Sequence, residues 1–195
     1  LRKGEFSGRA FRTWSAELAQ RAEKIDAARE RYLSRYKPIF QAILARISRL
    51  SGVDMHYYRG WQKDLDLLTV YEELAEKDRK RGFTQLGFQR ADVRLTIDDQ
   101  PVSKICSRGE LKALAWSMIL AQGAVQEDAS NLYLIDDLSS EFDFEHRCRI
   151  GSYLAESSEQ VFITGVDQRS LISCCEGTSS RMFHVKHGQI DHLDD

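Results

Sequence analysis

The chain has 195 residues, 42% of them apolar and 30% charged, enough to bury one generous core or two small ones. No apolar run reaches the roughly 18 residues that a bilayer crossing needs, which excludes a membrane span. The opening LRKGEFSGRAFR is positively charged but has no apolar segment behind it, so no signal peptide is expected and the chain reads as cytoplasmic. Net charge is −2, yet residues 1–50 carry 12 Lys/Arg against 5 Asp/Glu, and the remaining 145 carry 16 against 25. A basic end suits a polyanion, and it equally suits a solvated, salt-bridged helix. The four cysteines, Cys106, Cys148, Cys174 and Cys175, show no C-x-x-C pair and read as reduced thiols.

In chain order, Phe11, Trp14, Leu18, Ala22, Ile25, Ala28 and Tyr32 recur at steps of three and four and predict an amphipathic helix with that set inward. Pro38 interrupts it, and Ile39, Phe40, Ile43, Leu44, Ile47 and Leu50 resume the spacing up to Ser51-Gly52, giving two helices or one kinked helix. Residues 53–59 read as a strand and 64–81 as a polar helix with Leu67, Leu68, Tyr71 and Leu74 inward. Gly82 and Gly87 bracket a loop, and residues 93–97 form a half-buried strand turning at Asp98-Asp99-Gln100-Pro101. Residues 111–122 are so apolar that the helix is placed inside. Beyond it come a buried strand at 131–135, a helix at 145–156, a buried strand at 160–164, a short helix at 169–174 and a last strand at 182–186 before Gly188. Alternating strands and helices mean a largely parallel sheet covered on both faces.

Three local features carry chemistry. Ser107-Arg108-Gly109-Glu110 opens the apolar helix: it makes a capping box, and the same amides, hydroxyl and Arg make a phosphate site. Leu132-Tyr133-Leu134-Ile135-Asp136-Asp137 is a hydrophobic strand ending in two carboxylates, as a Walker B element requires, or a turn in which one Asp caps the next helix. Ser139-Ser140-Glu141-Phe142-Asp143 follows as an acidic turn. His184 and His187 lack a third ligand and are not read as a metal site. Trp14, Trp61 and Trp116 read as core or interface residues.

Taken together, SRGELKALAWSMILAQG, NLYLIDDLSSEFD, QVFITGVD and HVKHGQI resemble the C-terminal half of the RecF family, whose ATPase head is of the ABC/SMC type. RGWQKDL and LGFQRADVRL are compatible with the helical lobe of the same family. The fold expected is therefore mixed α/β: a helical, signature-bearing lobe at 1–122 joined to part of a P-loop core at 123–195. The resemblance implies that Ser107, Arg108 and Gly109 contact ATP bound to the opposite subunit. It makes Asp136 the holder of Mg²⁺ through water, Asp137 the catalytic carboxylate beside the attacking water, and Ser140 and Asp143 part of a D-loop at the dimer interface. It further implies an ATP-dependent homodimer on DNA, duplex or at single-strand gap junctions, with RecR and RecO as partners in loading RecA. From charge alone, Arg2, Lys3, Arg9, Arg12, Arg21 and Lys24 are the candidates for gripping DNA phosphates.

Some positions depart from the family pattern. Asp137 stands where most cassette ATPases have Glu, which points to slow hydrolysis; Val166 stands at the switch His; Gln89 replaces a frequent His. No Gly is followed by Lys, so the G-x-x-x-x-G-K-[ST] loop is missing: Gly82 and Gly87 have the separation but Phe88 follows. The expectation is a fragment whose P-loop half lies upstream of Leu1, so that ATP and Mg²⁺ bind only with that half. The alternatives are a non-catalytic interaction module with remnant cassette motifs, or another chromosome-maintenance ATPase of the ABC/SMC type.

Overall fold

A computed structural model describes residues 8–126, 131–157, 160–174 and 179–193. The chain forms two compact units, one of residues 1–41 and 51–106, the other of residues 42–50 and 107–195. This division differs from the one expected at 122/123, because the apolar helix following Ser107 belongs with the strands that come after it.

α1 (Gly8–Ile47) runs for 40 residues with Pro38 inside it, belonging to the first unit up to Gln41 and to the second beyond it. Of the two expected arrangements, two helices or one, the structure has the single helix. Proline forfeits one backbone hydrogen bond, but Tyr36 and Phe40 on either side are 3% and 0% exposed, and their rings stack at 6.3 Å. Burial on both flanks outweighs the lost bond.

The inward stripe of α1 is also rotated from the expected one. Ala22 is buried as expected, but its buried neighbours are Ser15, Ala19 and Asp26, whereas Trp14 is 68% exposed and Leu18, Ile25 and Tyr32 are exposed. Small residues let Trp61 and α2 (Leu67–Arg81) approach closely: Ala19, Ala22, Trp61, Leu67, Val70 and Tyr71 form one core cluster. Asp66 caps α2 by accepting from the Thr69 amide, and Gly82 ends it in the left-handed region with φ 79°. Strands β1 (Asp54–Tyr58), β2 (Asp92–Ile97) and β3 (Gln100–Pro101) make an antiparallel sheet, and α3 (Val102–Ile105) is a single turn after it. The turn between β2 and β3 places Asp98 and Asp99 at φ 47° and 60°, a mirror-image hairpin turn.

Two features pin the irregular parts of this unit. Asp26, 4% exposed, accepts from Tyr57 Oη at 2.9 Å and pairs with Arg59 at 2.8 Å, whose guanidinium lies 4.0 Å from the centre of the Trp61 ring. Gly60, at φ 102°, receives the Gly87 amide on its carbonyl; a Cβ there would stand 2.0 Å from the Gly87 oxygen. Gly87 thus serves close backbone packing.

The second unit contains α4 (Arg108–Ala124), β4 (Leu132–Ile135), α5 (Leu138–Glu141), α6 (Phe144–Glu156), β5 (Gln160–Ile163), α7 (Gln168–Cys174), β6 (Met182–Lys186) and β7 (Gln189–Leu193). β4 and β5 pair in parallel, with Leu132 beside Gln160 and Ile135 beside Ile163, α6 lying between them in sequence. β6 and β7 form an antiparallel hairpin turning at His187-Gly188, so His187 sits in the turn and not on the strand. The class is mixed α/β with a parallel pairing of β4 and β5. Ile43, Leu44, Ile47, Ala113, Leu114, Leu120, Leu138, Ile150 and Leu154 are buried here.

Two burial expectations need correction. β4 and β5 are not buried on both faces: Leu132, Leu134 and Phe162, which share a face by register, are 54%, 74% and 50% exposed. On α4, Ala113, Leu114, Ser117, Leu120 and Ala121 are buried, but Ile119 is exposed and Trp116 is half-buried. Trp116 packs edge-on to Phe142 with ring centres 5.5 Å apart.

Candidate functional site

β4 is apolar because its inner side chains face the unit's core, and it stops at Ile135 because two acids follow. Asp136 and Asp137 therefore leave the sheet at the carboxyl end of a parallel strand, where such sheets bind ligands. Asp136 is exposed and Asp137 half-exposed. Thr164, the first residue past β5, braces them. Its amide donates to the Ile135 carbonyl at 2.9 Å, its hydroxyl donates to Asp136 Oδ1 at 2.6 Å, and the same hydroxyl accepts from the Asp137 amide at 2.9 Å. No role was foreseen for Thr164; the available signal was a hydroxyl residue at the tip of the neighbouring parallel strand.

Asp137 adopts φ 45°, ψ 54°, in the left-handed region that Asp tolerates better than most residues. Ser139 donates to its Oδ1 at 2.9 Å, and Ser140 Oγ and amide both donate to its carbonyl. The hydroxyls of Ser140 and Ser139 hold the Asp137 carboxyl below the usual carboxylate range, so it is ionised at neutral pH. Ionised carboxylates with a hydroxyl beside them form a hard, all-oxygen donor set of the kind Mg²⁺ takes. Among the described residues no group of three or more His, Cys, Asp or Glu is placed to hold a metal. Asp136 fits a cation that draws its other ligands from water and phosphate.

Ser107, Arg108 and Gly109 are all exposed at the opening of α4. The capping box is formed: Ser107 Oγ accepts from the Glu110 amide at 3.3 Å and Glu110 Oε2 from the Ser107 amide at 2.7 Å. The Ser107 amide, donating to the Glu110 carboxylate, is the main cause that lowers the Glu110 pKa. The amides of Arg108 and Gly109 have no partner among the described residues, as first-turn amides lack intrahelical acceptors. A Cβ on Gly109 would meet nothing within 4 Å. From the next turn, Lys112 reaches across to α5, pairing with Glu141 Oε2 at 2.9 Å and donating to its carbonyl at 3.1 Å. That link between the opening of α4 and the acidic turn was not anticipated.

Asp143 caps α6, its Oδ1 accepting from the His146 amide at 3.0 Å and lying 2.9 Å from His146 Nδ1. The His146 amide and ring hold its pKa below the ordinary value. Ser140 is exposed, and Val166, at the switch position, is 95% exposed. Among the basic candidates, Arg12 pairs with Glu72 at 2.8 Å and Arg21 with Glu17 at 2.7 Å, while Lys24 is exposed without an ion pair among the described residues. Arg2 and Lys3 lie outside the described residues, as does the side chain of Arg9. No helix among the described residues is long and apolar enough to cross a membrane.

No protein-family model matches the chain. It is similar to proteins named DNA replication and repair protein RecF: 39% identical to that of Stutzerimonas stutzeri over 99% of this chain and 53% of the relative, and 35% identical to that of Cellvibrio japonicus over 97% and 54%. The Chromohalobacter salexigens protein of the same name is 39% identical over 97% of the chain. The chain thus spans about half the length of the curated relatives it matches. In fold it resembles the structure of the recombination mediator RecF with ATP, with a TM-score of 0.75 at 20% identity over 99% of this chain and 52% of that one. A structure from work on ATP-driven dimerization of SMC ATPases gives 0.52 at 12% identity over 87% of this chain. With motifs, geometry and both comparisons in agreement, the chain belongs to the RecF family and corresponds to its C-terminal half.

Proposed function

We propose that this chain supplies the signature and Walker B elements of a RecF-like DNA-repair ATPase, acting once a P-loop half is joined to it. The observation that carries this reading is the pair of carboxylates leaving β4 at its carboxyl end, Asp136 exposed and Asp137 half-exposed, cross-braced by Thr164. Asp136, whose Oδ1 accepts from Thr164, would hold Mg²⁺ through water, and the ion would supply positive charge against the phosphates. Asp137 orients the attacking water. Because Ser140 and Ser139 keep it a weak base, it acts by positioning and by negative charge more than by proton abstraction, and turnover is slow.

The amides of Arg108 and Gly109 and the Ser107 hydroxyl face a nucleotide held by a second copy, where backbone dipoles stabilise the γ-phosphate charge. Gly109 allows that close approach. Lys112 and Glu141 then join the phosphate-facing turn to the D-loop residues Ser140 and Asp143, which meet the partner subunit. ATP closes the dimer on DNA and hydrolysis releases it, with RecR and RecO directing RecA to single-strand gaps.

The test uses a protein in which the P-loop half has been restored. Asp137→Asn there should lower ATP turnover by about a hundredfold while nucleotide-driven dimerisation persists. Turnover equal to wild type removes Asp137 from the mechanism. Micromolar binding of Mg-ATP to the isolated chain, read by calorimetry, overturns the division of labour between the halves.

A further inference from the structure

A cavity of about 260 Å³ opens in the first unit between the start of α1 and the end of α2, walled by Phe11, Trp14 and Leu18 and floored by Tyr71, Asp78 and Thr84. Its floor is chemically unusual. Asp78 is only 4% exposed, and its two hydrogen bonds, from the Gln85 amide at 3.2 Å and from Gln85 Nε2 at 2.9 Å, both land on Oδ1. Neither Lys nor Arg pairs with it among the described residues, although a buried carboxylate without a countercharge is costly. Beside it Tyr71, also 4% exposed, has a buried hydroxyl with no hydrogen-bond partner. Native proteins leave few such groups unsatisfied.

The rim is aromatic and open. Trp14 is 68% exposed in a position where an α1 residue one step away, Ser15, is buried. Of the neighbouring α1 cations with described side chains, Arg12 is held by Glu72 and Arg21 by Glu17. An unpaired carboxylate oxygen and a phenol at the base, with aromatic faces above, complement a planar cation on an apolar stem. The guanidinium stacks on the indole, its N–H groups reach Asp78 Oδ2, and its methylenes lie against Leu18 and the Tyr71 ring. We propose that this cavity is a docking site for an arginine side chain of a partner protein. It lies apart from the carboxylates of β4 and does not depend on their function.

The probe is N-acetyl-arginine N-methylamide, titrated into the full chain and followed by the NMR signals of the Trp14 indole N–H and the Thr84 amide. Saturable shifts are expected in the millimolar range, with the neutral isostere N-acetyl-citrulline N-methylamide at least about tenfold weaker. Trp14→Ala, an exposed position whose loss leaves the core intact, should weaken the Thr84 response about threefold or more. Asp78→Asn should abolish the preference for arginine over citrulline. Equal titration by the two amides, no saturable shift, or an undiminished response in Trp14→Ala overturns the assignment. Because Asp78 also braces Gln85, the Trp14 variant decides the matter if Asp78→Asn fails to fold.

Discussion

Replacing Asp26 with Ala should be among the most damaging single changes in the first unit. The carboxylate is 4% exposed, and it satisfies Tyr57 Oη at 2.9 Å and Arg59 Nη2 at 2.8 Å. The Arg59 side chain retains 21% of its exposure, so water offsets part of its charge once the partner is gone; its Nε is already buried without a partner. Breaking a buried pair by removing one member costs about 3–5 kcal/mol, and the residual solvent at Arg59 places this case at about 3 kcal/mol. Such a loss lowers the folded-to-unfolded ratio more than a hundredfold. Urea unfolding followed by tryptophan fluorescence in a Trp116→Phe background reports on Trp14 and Trp61, both in the first unit. A cycle with Arg59→Met isolates the pair, because the double variant removes the charge that Asp26→Ala leaves stranded. A loss below about 1 kcal/mol in the single variant, or strict additivity in the cycle, refutes the account.

Gly109→Ala separates folding from function: with open space around it and a position inside the first turn of α4, this chain should be unchanged or stabilised by up to about 1 kcal/mol. In a protein with both halves the same change should weaken nucleotide-driven dimerisation, measured by sedimentation; undiminished assembly detaches Gly109 from the nucleotide. The caps set an acid limit. Glu110 and Asp143 titrate below their ordinary values in the folded chain, held there by the Ser107 amide and the His146 amide respectively. Their contribution is therefore complete above the unfolded pKa of about 4 and disappears as pH falls through the lower folded values. Melting temperature should fall as pH drops below about 4, with a shallower slope in Glu110→Gln/Asp143→Asn; an identical slope shows that the caps do not drive the acid response.

The carboxylate pair, the opening of α4 and the order of strands and helices after it were legible because each is written in contiguous residues. An apolar run ends in two acids, and Ser-x-x-Glu opens a helix. What was not legible depends on neighbours remote in sequence. The phase of α1 departs from the apolar pattern because apolarity marks Trp14 and Leu18, whereas close packing against Trp61 selects Ala19 beside the expected Ala22. Pro38 leaves two helices and one helix equally open until the burial of Tyr36 and Phe40 is seen. Thr164 lies 28 residues from Asp136, and Lys112 lies 29 from Glu141; a lone hydroxyl or cation leaves no periodic trace. The open face of β4 and β5 contradicts a run of apolar residues that suggested cover on both sides, since hydrophobicity reports what a strand can bury and not what is there to bury it.

The discontinuity of the second unit bears on how the chain is cut for laboratory work. Residues 42–50 belong with residues 107–195, and they bring Ile43, Leu44 and Ile47, none more than 4% exposed. An expression clone started at Ser107 would lack these three side chains and expose the surfaces that enclosed them. No single cleavage liberates this part whole; a functional excision must carry the end of α1 along, grafted by a linker or supplied as a peptide in trans.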